Sequence, residues 1–301
     1  MWSRILDAAG VTDPALRADF TAQRRAATRF KPEAALAVRL LVPPALSPHV
    51  LVATAFMHHT DQLLDGDAPQ AERLAGYRAW TRAVTAALAG EAAPDGPLLR
   101  ALAHSASLHP ALRGCVGEFL ATAETELTSS GFATEADYQG YLDDYSLPAL
   151  MVVACLLAPD TAEVRAAARA YIDGSQRLDF VTDLAEDLAA GRLGLPLTLL
   201  NGHGVSRADL AAAADTPATR ALLQHALRLA GDALDRGRAL LPLTPPAHRS
   251  LLAALIGLDE LTARAAAAAA PAELLRSGAS PAKAATLALL WRQWRAARRA
   301  R

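Results

Sequence analysis

Five aspartates in two groups could carry chemistry in this chain. Asp61 and Asp65 stand four apart, and Asp179, Asp183 and Asp187 stand four apart more than a hundred residues later. On a helix, spacings of four place side chains one above another on a single face. Stacked carboxylates repel one another and need a compensating cation. Mg²⁺ meets that need, because it takes oxygen ligands and keeps places open for substrate phosphates. Two such faces lining one helical hollow would bind a diphosphate. Acids four apart can equally form a solvated helix face. The neighbours argue otherwise: Phe56, Met57, Leu63 and Leu64 flank the first group, and Leu178, Phe180, Val181 and Leu184 the second. Unpaired carboxylates buried among such residues would be costly.

An allylic prenyl diphosphate ionises to a carbocation and inorganic pyrophosphate. The barrier falls when charge on the leaving group is neutralised. The cation survives only where water is kept out. Acidic faces inside an apolar bundle serve both demands.

The elements that would position these faces are helices. The 301 residues are 52% hydrophobic and 5% aromatic, rich in Ala and Leu, with no sustained period-two alternation. A first acidic helix starts after Ser47-Pro48 and ends at Gly66. Helices are expected over 33–41, 70–90, 98–108, 110–129 and 138–157, the last interrupted by Pro148. A central helix is expected over 161–190, carrying the second acidic group and stopped by Gly191. Shorter helices follow over 196–201, 206–214, 217–240, 245–270 and 280–299. No linker divides the chain, so one domain over 1–301 is expected, with 1–27 as an N-terminal extension.

The net charge of −1 gives no field for nucleic acid. Arg292, Arg295, Arg298, Arg299 and Arg301 read as a solvated helix end. Cys115 and Cys155 read as buried, reduced thiols, and the N-terminus lacks the apolar core of a signal peptide. A cytoplasmic protein is expected, monomeric or homodimeric, which a greasy substrate could bring transiently to a membrane surface.

The stretch from Ala55 to Gly66 resembles the first aspartate-rich motif of the squalene/phytoene synthase family. The stretch from Gln176 to Asp187 is similar to the second, and Gly191-Arg192-Leu193-Gly194-Leu195-Pro196 to the segment that trails it. Glu124, Glu126, Phe132 and Tyr141 match weaker features between them. The resemblance covers about residues 28–200. It implies an all-α isoprenoid-synthase bundle with a central apolar cavity. It also implies that Asp61, Asp65, Asp179, Asp183 and Asp187 bind Mg²⁺ and diphosphate, that Gln176 lines the site, and that Arg192 reaches a phosphate or a cluster acid. Arg29 and Lys31 lie near the family's N-terminal phosphate-binding segment.

This chain also departs from the family pattern. His58-His59 stand where two arginines are usual. Thr182 stands where an arginine often precedes the aspartate, while Arg177 is new and a candidate for substrate binding. Gly131 replaces a basic residue, Gly194 replaces a tyrosine, and Tyr145-Ser146-Leu147-Pro148 replaces a run of small residues. One diphosphate site reads as intact and a second as eroded. The expected activity is therefore ionisation of one C10–C20 prenyl diphosphate and transfer of the prenyl cation to a non-isoprenoid, aromatic acceptor. Head-to-head squalene- or phytoene-type coupling, cyclisation and a non-catalytic scaffold are the alternatives. His58 is a candidate phosphate contact or base. Tyr141 and Tyr145 begin a helix expected to line the cavity. Arg39, in an apolar helix, is a candidate buried ion pair or phosphate contact. Trp80, Trp291 and Trp294 read as packing.

Overall fold

A computed structural model describes residues 2–66, 68–91, 95–128 and 131–300. Its helices are α1 (Trp2–Ala8), α2 (Pro14–Phe30), α3 (Pro32–Leu41), α4 (Ser47–Asp65), α5 (Gln70–Ala89), α6 (Pro97–Leu108), α7 (Pro110–Thr122), α8 (Glu135–Tyr141), α9 (Leu147–Leu157) and α10 (Ala162–Thr182). They continue as α11 (Leu184–Ala189), α12 (Leu197–Gly202), α13 (Arg207–Ala211), α14 (Pro217–Gly237), α15 (Leu240–Leu243), α16 (Arg249–Ala268), α17 (Pro271–Ser277) and α18 (Lys283–Ala300). No strand occurs among the described residues.

The helix starts follow from local chemistry. Proline stands in the first turn of α2, α3, α4, α6, α7, α9, α14 and α17, where its missing N–H has no helical partner to lose. Thr134, Ser206 and Thr216 form reciprocal capping boxes at α8, α13 and α14, which satisfies orphan donors at each start.

The largest apolar cluster gathers side chains of α2, α4, α5, α6, α7 and α9. Residues 14–30 belong to it. α2 buries Phe20 and Ala27, and its buried Asp19 receives Arg100 of α6 through Nε at 2.7 Å and Nη2 at 2.8 Å. The most extensively packed helix pair is α10 against α14. A Cβ on Gly174 would lie 2.6 Å from the Leu234 backbone N, and one on Gly237 would lie 2.5 Å from the Tyr171 Cα. Glycine at both crossings lets backbone meet backbone.

Three expected helices near the acidic residues differ in detail. The run over 110–129 stops at Thr122, and Ala123–Thr128 tightens to a 3₁₀ turn that carries Glu124 and Glu126. The central helix bends at Asp183, whose ψ is 7°. Its hydrogen bonds persist through the bend: Asp183 N–H donates to Asp179 O at 2.8 Å, and Asp187 N–H to Asp183 O at 2.9 Å. Between α8 and α9 the helix widens to a π turn over Leu142–Ser146. That turn absorbs Pro148, which falls in the first turn of α9. The stretch Glu135–Leu157 is long and apolar enough to cross a membrane by length and composition, and here it packs against α4, α7 and α10. Trp80 packs as expected, donating its indole N–H to Thr60 Oγ1 at 3.0 Å. Trp291 stacks on Trp294 but is 57% exposed.

His49 of α4 is 1% exposed. Its Nδ1 lies 2.9 Å from Ser105 Oγ and its Nε2 lies 3.2 Å from Ala9 O. Burial, with His109 beside it, holds its pKa down to about 4. The folded chain therefore refuses a proton that the unfolded chain accepts near 6.5. Stability is complete above pH 6.5 and declines as pH falls from 6.5 to 4, by about 3 kcal/mol. Urea midpoints measured from pH 7 to pH 4 should show this decline, and His49→Asn should flatten it. An unchanged slope in the variant would place the acid sensitivity elsewhere.

Candidate active site

The two acidic groups are related by cations that act on both of them. α4 presents Asp61 and Asp65 on its last turn, where Gly66 ends the helix. α10 and α11 present Asp179, Asp183 and Asp187 around the bend at residue 183. Two cations sit between the groups. Arg192 donates to Asp187 Oδ1 at 2.9 Å and also acts electrostatically on Asp65 and Glu126. Lys31, between α2 and α3, acts on both Asp61 and Asp179. The charge of this one lysine is therefore felt on both acidic faces.

The carboxylates keep surface open to water but are crowded by protein. Burial pushes Asp61 up to about 6, aided by Asp65 and opposed by the Tyr145 hydrogen bond. Burial pushes Asp179 up to about 7, with Asp259 and Asp183 adding to the rise. Asp65 and Asp183 are raised in the same way.

Two tyrosines close the recess. Tyr145 O–H donates to Asp61 Oδ1 at 3.2 Å, and Tyr141 hydrogen-bonds Glu126. Their rings lie 5.3 Å apart. Burial, reinforced by the adjacent carboxylates, holds both hydroxyls protonated, well above the ordinary phenol range. Tyr141 ends α8 and Tyr145 lies within the π turn that follows it.

Glu126 and Asp259 enlarge the acidic set. Glu126 Oε2 and Asp259 Oδ2 are buried without a hydrogen-bond partner. Asp259 belongs to α16, engages Tyr171 and Ser175, and acts on Asp179. Its sequence surroundings, Leu258-Asp259-Glu260-Leu261, show nothing beyond an ordinary helix acid, so only the packing of α16 on α10 reveals it. Glu126 carried a signal, because it sits in the segment that matched the weaker family features.

Several expected site residues lie elsewhere. His58 stacks on Phe30 with ring centroids 3.2 Å apart, and His59 packs edge-on to Trp80 at 4.4 Å. Burial lowers both their pKa values, so these rings are uncharged near neutrality. Arg177 sits over the Tyr138 ring and is held by Asp173 at 2.7 Å and by Glu135, which takes it out of reach as a phosphate ligand. Arg39 forms no buried ion pair: it is exposed and lines a different recess. Gln176 accepts a hydrogen bond from Ser146 Oγ at 3.3 Å, beside the π turn. Asp187 is committed to Arg192 and acts through it.

Two departures from the family pattern have local causes. Gly131 has φ 117°, and a Cβ there would lie 2.7 Å from Leu193 O. The segment then pairs with α12 through Leu197 N–H to Phe132 O at 2.9 Å. Only glycine fits that geometry. At Gly194 a Cβ would fall 2.1 Å from the Phe180 ring. Phe180, clustered with Phe132 and Tyr138, fills the space that a residue-194 side chain would take.

The donor set suits a hard divalent cation. Every free ligand is a carboxylate oxygen, the acids outnumber the nearby cations, and a buried Glu126 oxygen lacks a partner. Among the described residues no three His, Cys, Asp or Glu side chains converge tightly enough to hold an ion alone. Mg²⁺ does not require that, since it commonly binds through one or two carboxylates with waters and substrate phosphates completing the shell.

Comparisons with known proteins bear on the fold and the family. A curated phytoene synthase from Thermus thermophilus is 39% identical over 102 residues, 30% of this chain and 35% of that protein; the match spans about a third of that relative. The crystal structure of squalene synthase HpnC from Alicyclobacillus acidocaldarius superposes with a TM-score of 0.72 at 24% identity, over 97% of this chain and 98% of that one. A dehydrosqualene synthase crystallised with ligand gives 0.79 at 19% identity, over 92% and 96%. Residues 28–285 match the squalene/phytoene synthase family, and with the isoprenoid-synthase fold and the paired acidic helices in place, the chain belongs to that family.

Proposed function

We propose that this protein ionises a single allylic prenyl diphosphate with Mg²⁺ and transfers the prenyl group to an acceptor that carries no diphosphate, an aromatic ring being the acceptor class that fits best. The supporting observation is the inventory of cations. Lys31, Arg73 and Arg192 act on the first acidic face, and Lys31 acts on Asp179. Arg73 is already committed to the end of α4, donating to Leu64 O and Ala68 O. Arg177 is sequestered, and His58 and His59 are neutral. That leaves positive charge for one diphosphate beside the metal.

Mg²⁺, when bound, neutralises charge building on the departing diphosphate and orients it. Asp61, Asp65, Asp179 and Asp183 would hold it. Arg192 and Lys31 bind the phosphate oxygens between the two faces. Tyr141 and Tyr145, locked by their hydrogen bonds to acids, present ring faces rather than mobile hydroxyls. An allylic cation is stabilised by such faces, and the apolar cluster behind them excludes water. C–C bond formation to an aromatic ring releases a ring proton, for which a site carboxylate is the acceptor.

Head-to-head coupling of two prenyl diphosphates is the second reading, favoured by family membership. A product screen separates the two. With Mg²⁺ and a C10, C15 or C20 diphosphate alone, the protein should release pyrophosphate without making a dimeric hydrocarbon. Adding phenolic or indolic acceptors should yield prenylated aromatics. A C30 or C40 hydrocarbon from the C15 or C20 diphosphate alone would establish the second reading instead.

A further inference from the structure

The face that α18 turns outward joins apolar and cationic residues in one stripe. Leu287, Trp291, Arg295 and Arg299 follow one another at spacings of four, which sets them on one side of the helix. Leu287 is 66% and Trp291 57% exposed, more than any other large apolar side chain among the described residues. The opposite side is buried through Leu289 and Ala297, and Leu290 and Trp294 pack against the largest apolar cluster. Trp294 stacks on Trp291 with ring centroids 4.9 Å apart. One indole thus anchors the helix and holds the other, outward-facing one in place.

The cations of α18 are uncompensated along the helix. From residue 283 to residue 301 the sequence holds Lys283, five arginines and no acid. Arg292, Arg295, Arg298 and Arg299 are exposed and form no ion pair among the described residues, whereas Arg165, Arg169 and Arg177 each meet a carboxylate. On the neighbouring α16, Glu260 lines a crevice with Arg264 and Arg292, but Arg238 already takes it at 2.6 Å. The helix dipole accounts for Arg298 and Arg299 in the last turn. It does not account for Arg292 and Arg295, which precede that turn, and like charges four apart at Arg295 and Arg299 destabilise an isolated helix.

We infer that this stripe docks the protein on the surface of an anionic phospholipid bilayer, with Leu287 and Trp291 entering the headgroup boundary and the arginines reaching lipid phosphates. An indole suits that depth because its ring is apolar and its N–H polar. Guanidinium forks match phosphate oxygens, and their aliphatic stems can lie along the apolar boundary. A zwitterionic bilayer would satisfy the indole and leave the arginines without a net countercharge. A nucleic acid would pair with the arginines and gain nothing from Leu287. Charge complementarity therefore selects the anionic bilayer. The inference concerns α18 alone and stands whether or not the aspartates transfer a prenyl group.

The test titrates the full chain with phosphatidylglycerol–phosphatidylcholine vesicles, with phosphatidylcholine vesicles and with a duplex oligonucleotide, read by co-sedimentation, Trp fluorescence and, for the oligonucleotide, anisotropy. Binding to the anionic vesicles should be at least tenfold tighter than to phosphatidylcholine, should weaken as salt rises and should shift Trp emission to the blue. Arg295→Ala with Arg299→Ala should weaken it at least tenfold. Leu287→Ser with Trp291→Ser should weaken it at least fivefold and abolish the blue shift. Arg82→Ala with Arg113→Ala, which removes the same charge from exposed positions on α5 and α7, should change it less than twofold. Helical circular dichroism should be the same in all three variants. No binding to anionic vesicles, equal losses from the two arginine pairs, or indifference to Leu287 and Trp291 would overturn the inference. So would an oligonucleotide bound more tightly than the vesicles, or a dimer in analytical ultracentrifugation that the Leu287 and Trp291 substitutions dissolve.

Discussion

Asp179→Asn and Asp61→Asn should each lower Mg²⁺-dependent release of pyrophosphate from a prenyl diphosphate by at least about 10³-fold, while leaving the thermal midpoint unchanged or raising it. The activity loss corresponds to about 4 kcal/mol of transition-state stabilisation. Charge on the leaving group is largest at the transition state, so removing an anion that holds the neutralising cation acts on the chemical step. Stability should move the other way. In the folded chain Asp179 is pressed by burial, by Asp259 and by Asp183, and Asp61 by burial and Asp65. Replacing either with a neutral isostere removes repulsion and a desolvated charge. A residue that served the fold would show the reverse pairing. Pyrophosphate release by coupled assay and scanning calorimetry together decide the matter. A variant that keeps turnover within tenfold, or one that loses its folded transition, would remove the aspartates from the catalytic account.

Gly174→Val should destabilise the chain by about 2–3 kcal/mol. A Cβ at 174 would meet the Leu234 N at 2.6 Å and the Ala230 O at 2.9 Å. Both are backbone atoms of α14, so neither can swing aside as a side-chain tip could. Relief requires the α10–α14 pair to separate, and α10 carries Asp179. Gly114→Ala is the control: a Cβ there has nothing within 4 Å, and a helix-interior glycine replaced by alanine should gain up to about 1 kcal/mol. Urea denaturation of both variants checks the contrast. Equal behaviour would mean that α10 and α14 are not in backbone contact.

The all-α bundle was legible because its signals are local. Proline in helix first turns, Thr134 with Asp137, and Gly66 and Gly191 at helix ends are each read within a few residues. Each aspartate face was legible for a different reason: a spacing of four puts side chains on one side of any helix that carries them. The cations were not legible in the same way. Arg177 and Arg39 looked equally available in the sequence, and their fates depend on what the fold sets opposite them. Glu135 and Asp173 take Arg177, while Arg39 is exposed and forms no ion pair among the described residues. Asp259 came to light only through the packing of α16. The reverse holds at Gly131, where the absence of a basic side chain reflects a backbone angle of 117° rather than a decision about substrate.

The π turn at Leu142–Ser146 makes the aromatic pair depend on counting rather than on chemical type. Each residue of an α-helix advances the chain by about 100°, so one position more or fewer in that segment would swing Tyr145 off Asp61 while every side chain stayed the same. Point substitution can therefore tune this wall of the recess gradually. Deletion would re-aim it in a single step, giving relatives of this chain an abrupt route to a differently shaped reaction chamber.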